Sequence, residues 1–216
     1  NDLAEELTKK DHEITVLTGI PNYPNGKFFK SYGFNSIGSS RWKKINIFRV
    51  PILPRFSGKS IFLILNYFSY ALFASVFGFF FLLNKKFDVI FVYEPSPITV
   101  GIPAILIKKI KKIPIVFWVQ DLWPESLSAV KFTKSKIISN TIGSLVKWIY
   151  KNCDKILIQS RSFVGPVSSR GAERNKIIYL PNWAETFYIP KSSKDKVVKK
   201  LFSKNFFNIV FAGNLG

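Results

Sequence analysis

Apolar runs of strand length alternate along the chain with segments of helical periodicity. The runs are rich in Ile, Val and Phe and are bounded by turn-forming residues, which is typical of buried strands. This alternation predicts an α/β fold with an open parallel sheet and helices on both faces. The predicted strands are Glu13–Thr18, Ile45–Pro51, Phe87–Val92, Ile113–Trp118, Asp154–Gln159 and Lys176–Leu180, and the predicted helices are Asp2–Lys10, Ile61–Leu83, Ile98–Lys112, Lys136–Lys151 and Phe163–Arg170.

The most apolar segment is the predicted helix Ile61–Leu83, which is long enough to cross a bilayer. We favour a crossover helix buried on nearly all faces, because the strands before and after it should share one sheet. The second interpretation is a packed helix whose outer face touches lipid, with the flanking lysines on headgroups. A true membrane span ranks third, because it would place those strands on opposite sides of the bilayer.

Polar residues collect where the predicted strands end. Gln120, Asp121 and Glu125 follow the strand Ile113–Trp118, and Glu94 follows the strand before it. Ligands of open α/β sheets bind outside the carboxyl ends of the strands, where the loops converge. These side chains are therefore candidates for the chemistry of the protein.

A long polar loop, Gly19–Gly38, leaves the carboxyl end of the first predicted strand. Loops of this length in compact domains are usually either functional or disordered. Its position favours a binding loop, with Asn22 and Tyr23 as candidate ligand-binding residues.

The composition narrows the classes of function. The formal net charge is +19, from 32 Lys and Arg residues against 13 Asp and Glu, and most of the basic residues are Lys. Nucleic-acid recognition favours Arg and no nucleic-acid-binding motif is present, so we expect an anionic membrane surface rather than nucleic acid as partner. The single His, His12, excludes a multi-His metal site, and the single Cys, Cys153, excludes a disulfide framework and fits a reducing cytoplasm.

The composition changes toward the C-terminal end. Residues 190–204 are rich in Lys and Ser and predict a linker with a short amphipathic helix, and Asn208–Gly216 predicts a buried strand with a glycine loop. We therefore expect residues 1–189 to form one domain and residues 190–216 to begin another. The chain lacks Met and starts within a predicted helix, so we expect a piece of a longer protein.

A series of motifs runs in one order over nearly the whole chain. They are Leu3–Thr18, Pro21–Pro24, Phe87–Ile90, Gln120–Ser126, Tyr179–Glu185 and Phe211–Gly216. In this order they resemble the N-terminal domain of a family-4 glycosyltransferase of the GT-B fold, a retaining class that uses nucleotide sugars. The branch with the strongest resemblance comprises fucosamine transferases of bacterial surface polysaccharides. The resemblance implies a Rossmann-like domain whose first strand is missing from this sequence.

The resemblance also implies roles for individual residues. The N-terminal domain would bind the acceptor and the C-terminal domain the nucleoside-diphosphate sugar, with catalysis between them and without a metal or cofactor. Asp121 would hydrogen-bond a sugar hydroxyl at the catalytic centre, although a stabilising role at a helix N-terminus is favoured for Glu125. The implied acceptor-binding residues are Asn22, Tyr23, Glu94, Gln120 and Glu125, the donor-diphosphate residues are Gly213 and Gly216, and the hinge residues are Asn182 and Glu185.

The implied acceptor is a lipid-linked glycan of O-antigen, capsule or exopolysaccharide synthesis. The protein would then be cytoplasmic and peripheral to the anionic inner leaflet of the inner membrane. Since the family's donor-binding residues belong to the C-terminal domain, this fragment is expected to be inactive by itself. Two alternatives stay open, a nucleotide-sugar 2-epimerase of the same fold and a non-catalytic membrane-associated module.

Overall fold

The computed structural model describes residues 2–56, 60–126, 135–184, 188–189 and 206–210, with the Ser60 side chain left out. Helices and strands alternate within these ranges, so the predicted α/β class is confirmed. The strands are β1 Thr15–Gly19, β2 Gly38–Trp42, β3 Ile45–Val50, β4 Ile90–Glu94, β5 Ile115–Val119, β6 Lys155–Ile158 and β7 Ile177–Tyr179, and the helices are α1 Asp2–Lys9, α2 Ser60–Leu82, α3 Gly101–Lys111, α4 Lys136–Asn152 and α5 Val164–Ser169.

The described strands form two hydrogen-bonded sheets. Sheet A has the order β1-β3-β2, and sheet B has the order β4-β5-β6-β7 with all its strands parallel. In sheet A, β1 and β3 are parallel, and the unpredicted strand β2 is antiparallel to β3. The polar sequence of β2 carries no apolar alternation, which explains why the sequence did not reveal it. The expectation that the strands flanking α2 share one sheet was wrong, because β3 lies in sheet A and β4 in sheet B.

Sheet B contains most of the hydrophobic core and presents the candidate site. Apolar side chains from α3 and α4 pack against its strands and form this core with them. Gly101 of α3 permits close packing, since a Cβ there would lie 2.7 Å from Ile149 Cγ2 of α4. Among the core residues that are fully buried are Ile115, Phe117, Val119, Val146, Ile149, Ile156 and Ile158.

Helix α2 packs on sheet A and on α3 through only one of its faces. A Cβ at Gly78 would lie 2.8 Å from Leu17 Cδ2, so the helix approaches β1 closely. The buried face also carries polar side chains: Asn66 Nδ2 donates to Leu53 O at 2.6 Å, and Ser69 Oγ accepts from Leu53 N at 2.9 Å. These bonds tie the helix to the chain that follows β3.

The opposite face of α2 is apolar and exposed. Only 28% of its most apolar window is buried, so the favoured interpretation of a helix buried on nearly all faces was wrong. By length and composition the helix could also cross a bilayer, although a core helix passes the same test. We call the exposed row the α2 outer face; its residues are Ile61, Leu65, Phe68, Leu72, Val76 and Phe80.

The chain divides into two compact units, Asn1–Pro181 and Asn182–Gly216. Both sheets and all the labelled helices lie in the first unit. In the second, residues 207–210 have no strand in the structure, and the remainder of the predicted strand and glycine loop lies outside the described residues.

Candidate functional site

The carboxyl ends of β4, β5 and β6 are joined directly by hydrogen bonds. Gln120 N, just after β5, donates to Glu94 O at 3.1 Å, and Gln159 Nε2, just after β6, donates to Gln120 O at 2.7 Å. Glu94 itself lies opposite Val119 in the parallel register. Gln120 and Glu94, which the sequence selected separately, are therefore neighbours at one edge of sheet B.

Glu94 is fully buried, with 0% of its surface exposed. Neither oxygen of its carboxyl group has a hydrogen-bond partner among the described residues. Burial raises the pKa of Glu94 well above its usual value, the negative charge of Asp121 raises it further, and the backbone N–H groups of Asp121 and Gln120 oppose the rise. The raised pKa favours the neutral carboxylic acid, which offers one O–H donor to a ligand or water.

Asp121 begins the loop after β5 and remains partly exposed. No side-chain hydrogen bond or ion pair from the described residues engages its carboxylate. Two further buried groups in the same loop, Trp123 Nε1 and Ser126 Oγ, also have no hydrogen-bond partner in this part of the chain. Because buried polar groups are normally paired, such a concentration of unpaired groups is typical of a site completed by ligand or water.

Glu125 forms an ion pair with an arginine, whereas no ion pair from the described residues engages Asp121. Its Oε1 accepts from Arg170 Nη2 at 2.5 Å and from Arg170 Nε at 3.0 Å. This pair links the loop after β5 to the C-terminal end of α5 and supports a structural role for Glu125. The ligand role predicted for it stays a prediction.

Asn22 and Tyr23, in the loop after β1, differ in their surroundings. Asn22 is buried, and its amide contacts are with Ile20 O at 3.2 Å and with Asn66 Nδ2 at 3.5 Å, so it supports the loop from inside. Tyr23 is 63% exposed, and the guanidinium of Arg55 lies 5.3 Å from its ring centroid. Tyr23 is therefore the one of the two that is accessible to an acceptor.

Arg55 extends this contact toward the loop that follows β5. Its guanidinium also lies 5.4 Å from the Tyr67 ring, and the Tyr67 and Trp123 rings meet edge to face at 6.1 Å. Arg55 Nε donates to Asn66 Oδ1 at 3.3 Å, and no carboxylate of the described residues pairs with Arg55. The side chains from Tyr23 to Trp123 thus form one continuous wall that contains an unneutralised positive charge.

Arg55, Tyr67 and Gln159 were not among the site residues predicted from the sequence. Arg55 lies between β3 and α2, and Tyr67 lies in the most apolar segment. A signal was nevertheless present, because Asn66 and Ser69 stand one helical turn apart in that segment and mark its inward face. For Gln159 the available signal was its place directly after a buried strand.

The remaining predicted site residues belong to the second unit. Asn182 is exposed, whereas Glu185, Gly213 and Gly216 lie outside the described residues. Their predicted hinge and diphosphate-binding roles stay predictions. Within the described ranges, no group of three or more His, Cys, Asp and Glu side chains could hold a metal ion.

Comparison with models of protein families identifies the family of the chain. A family model described as Glycosyltransferase Family 4 matches residues 1–186, which include both sheets and every described residue of the candidate site. No curated protein matches the chain at a significant level.

Proposed function

The chain belongs to glycosyltransferase family 4, and on this premise we propose that it is the acceptor-binding domain of a retaining enzyme of bacterial surface-polysaccharide synthesis. The family implies a nucleotide-sugar donor and a glycan acceptor. The proposed acceptor is a lipid-linked glycan, and the proposed pathway is O-antigen, capsule or exopolysaccharide assembly. A fucosamine-type amino sugar is the proposed group transferred, without a metal or cofactor.

The Asp121 carboxylate, which no side chain of the described residues engages, lies beside the buried Glu94 carboxyl, and this arrangement is the observation that carries the proposal. Asp121 can accept a hydrogen bond from the acceptor hydroxyl and orient its oxygen toward the anomeric carbon of the donor. In the front-face mechanism proposed for retaining transfer, the departing diphosphate takes the acceptor proton, so Asp121 need not act as a strong base. Tyr23 and Arg55, which belong to the continuous wall described above, support a polar acceptor that carries negative charge.

The epimerase alternative receives no support from the site. That class is expected to use acidic and His residues together, and His12 is exposed in the turn before β1, at the amino end of its strand. The buried Glu94 and the partly exposed Asp121 form an acidic site without His, which is compatible with glycosyl transfer.

The α2 outer face supports a lipid-linked acceptor and a location at the inner membrane. The polar side chains of α2 that are hydrogen-bonded to the chain after β3 point inward. Large apolar side chains face outward along the helix, which is about 35 Å long. Exposed lysines lie at its C-terminal end, where Lys111 of α3 also bonds Lys85 O at 2.7 Å. Apolar side chains beside lysines are the features of helices that bind the surface of anionic membranes.

The test of the transfer function uses the longer protein that contains this chain. It is assayed with a panel of nucleoside-diphosphate amino sugars and a lipid-diphosphate-linked sugar, and we expect a product that retains the anomeric configuration. Asp121→Asn should lower kcat at least about a hundredfold without changing the thermal midpoint, because the uncharged amide oxygen orients the acceptor hydroxyl less strongly than the carboxylate does.

The matched control is Asp154→Asn, an Asp that follows α4 and pairs with Lys108 at 2.6 Å instead of facing the carboxyl edge. It should keep kcat close to that of the unchanged protein. Full activity of Asp121→Asn, or no transfer from any donor in the panel, would contradict the proposal.

A further inference from the structure

A cleft in sheet A shares no lining residue with the candidate site. It has a volume of about 410 Å³ and lies between the β2–β3 hairpin and the chain at residues 31–37. A volume of this order is enough for a small ligand such as one or two sugar rings. The cleft is built by the strand that the sequence did not predict, and the transfer mechanism uses none of its residues.

Two arginines give the cleft positive charge that no carboxylate among the described residues neutralises. Arg49 Nη1 donates to Ser40 Oγ at 2.5 Å, and its guanidinium lies 5.2 Å from the Tyr32 ring, so its direction is fixed. Arg41, on the edge strand β2, is exposed and makes no hydrogen bond or ion pair with the described residues. Guanidinium groups in this state bind phosphate or carboxylate with two parallel hydrogen bonds.

The remaining lining combines free polar groups with an aromatic ring. The side chains of Ser31, Asn35 and Ser39 line the cleft and have no hydrogen-bond partner among the described residues. Trp42 lines it as well and is 37% exposed, with Lys43 Nζ 4.8 Å from its ring centroid. Hydroxyl and amide groups match sugar hydroxyls, and an indole face packs on the apolar C–H face of a pyranose ring.

We propose that this cleft is a second saccharide-binding site, which takes a sugar ring that carries a phosphate or a carboxylate. Arg41 and Arg49 bind the anionic group, the free Ser and Asn side chains bind the ring hydroxyls, and Trp42 packs on the ring. The inference goes beyond the proposed transfer reaction, because the site binds its ligand whether or not the protein transfers sugar.

A binding titration of the chain by ¹H–¹⁵N NMR tests the site. The probes are glucose 1-phosphate, glucuronic acid, methyl glucoside and inorganic phosphate. The first two compare a phosphate with a carboxylate on the sugar ring, and the last two test the ring and the anion by themselves. We expect saturable shifts in the amides of residues 31–49 with glucose 1-phosphate or glucuronic acid, and a weaker Kd for methyl glucoside and for inorganic phosphate. The stronger of the two anionic sugars identifies the group that the cleft recognises.

Single substitutions separate the contribution of the arginine charge to binding from that of the Trp42 ring. Arg41→Ala should weaken the Kd of the anionic sugar about tenfold, because a charge-assisted hydrogen bond is lost while no contact of the folded chain is removed. Trp42→Ala should bring that Kd to the value for the anion alone. The control Arg174→Ala removes the same charge from an exposed residue outside the cleft and should leave the Kd unchanged.

Three results would overturn the proposal. The first is an equal effect of Arg41→Ala and Arg174→Ala, which would indicate general attraction to a basic surface. The second is inorganic phosphate binding as tightly as glucose 1-phosphate, which would remove the role of the ring. The third is the absence of saturable shifts in residues 31–49. A glycosyltransferase assay has no part in this test, so its outcome is separate from that of the proposed function.

Discussion

Burial of the Glu94 carboxyl makes the stability of the protein depend on pH. The pKa of Glu94 is raised in the folded state, so between its usual value of 4.5 and the raised value the folded chain binds one proton more than the unfolded chain. The free energy of unfolding therefore falls as pH rises through this range. Below pH 4.5 the group is neutral in both states, and its contribution is fully present.

Glu94→Gln should remove this dependence. The amide keeps the shape of the neutral acid but cannot ionise. In the unchanged protein, Glu94 should make the free energy of unfolding fall by up to about 1 kcal/mol per pH unit above pH 5, and we expect this fall to be absent from the variant. Urea unfolding at a series of pH values measures the slope. The control Glu173→Gln changes an exposed carboxylate paired with Lys176 and should keep it. A Glu94→Gln protein with the slope of the unchanged chain would show that Glu94 is ionised in the folded state.

At the scale of elements, packing between α3 and α4 depends on one isoleucine. Ile149 is 0% exposed and lies against Gly101 of α3. Ile149→Ala should lower the free energy of unfolding by about 2–5 kcal/mol, since it leaves a cavity in a core that cannot collapse fully. Ile137→Ala in the same helix, at a position 78% exposed, should change it by less than about 0.5 kcal/mol. Equal effects in chemical denaturation would mean that the two helices do not pack as described.

The α2 outer face leads to a prediction about membrane binding. Replacing Phe68, Leu72 and Phe80 together by Ser should weaken binding to phosphatidylglycerol vesicles by at least about tenfold, because the apolar area that enters the interface is lost. The control replaces Phe34 and Ile137 by Ser, two apolar residues elsewhere that are more exposed than the three of the α2 outer face, and should bind like the unchanged chain. Vesicle co-sedimentation measures both.

Other occupants of the α2 outer face would give different results. A second copy of the chain would appear as a dimer in sedimentation velocity, which the Ser substitutions would abolish without any effect of vesicles. A membrane span would resist extraction by alkaline carbonate, whereas a helix bound at the surface is released.

At the scale of the whole molecule, the net charge of +19 should make membrane binding sensitive to salt. Long-range attraction between lysines and anionic headgroups is screened within about 10 Å at 0.1 M salt, so the vesicle-bound fraction should fall steeply as salt is raised to about 0.5 M. Equal binding to vesicles of neutral phosphatidylcholine, or binding that salt does not change, would contradict an electrostatic contribution. The measurement is independent of any substitution.

The sequence by itself determined the alternation of strands and helices, and it predicted the carboxyl edge as the place of the candidate site, with Gln120, Asp121 and Glu94 at that edge. These follow from local rules, because apolar periodicity sets the type of each element and parallel strands end at a common edge. It could not reveal β2, whose polar residues form a strand only because β3 supplies hydrogen-bond partners. Nor could it identify Arg55, whose contacts come from loops and helices distant in the chain.

Tertiary structure alone decided how exposed each of these side chains is. Both Glu94 and Asp121 are carboxylates at the carboxyl end of a strand. Glu94 is buried with no side-chain hydrogen-bond partner among the described residues, whereas Asp121 is partly exposed. The sequence of α2 is apolar almost throughout, and tertiary packing decides that one apolar face is buried while the α2 outer face is exposed. Local periodicity records which residues are apolar, whereas burial depends on which elements meet, and that is set by contacts between segments far apart in the chain.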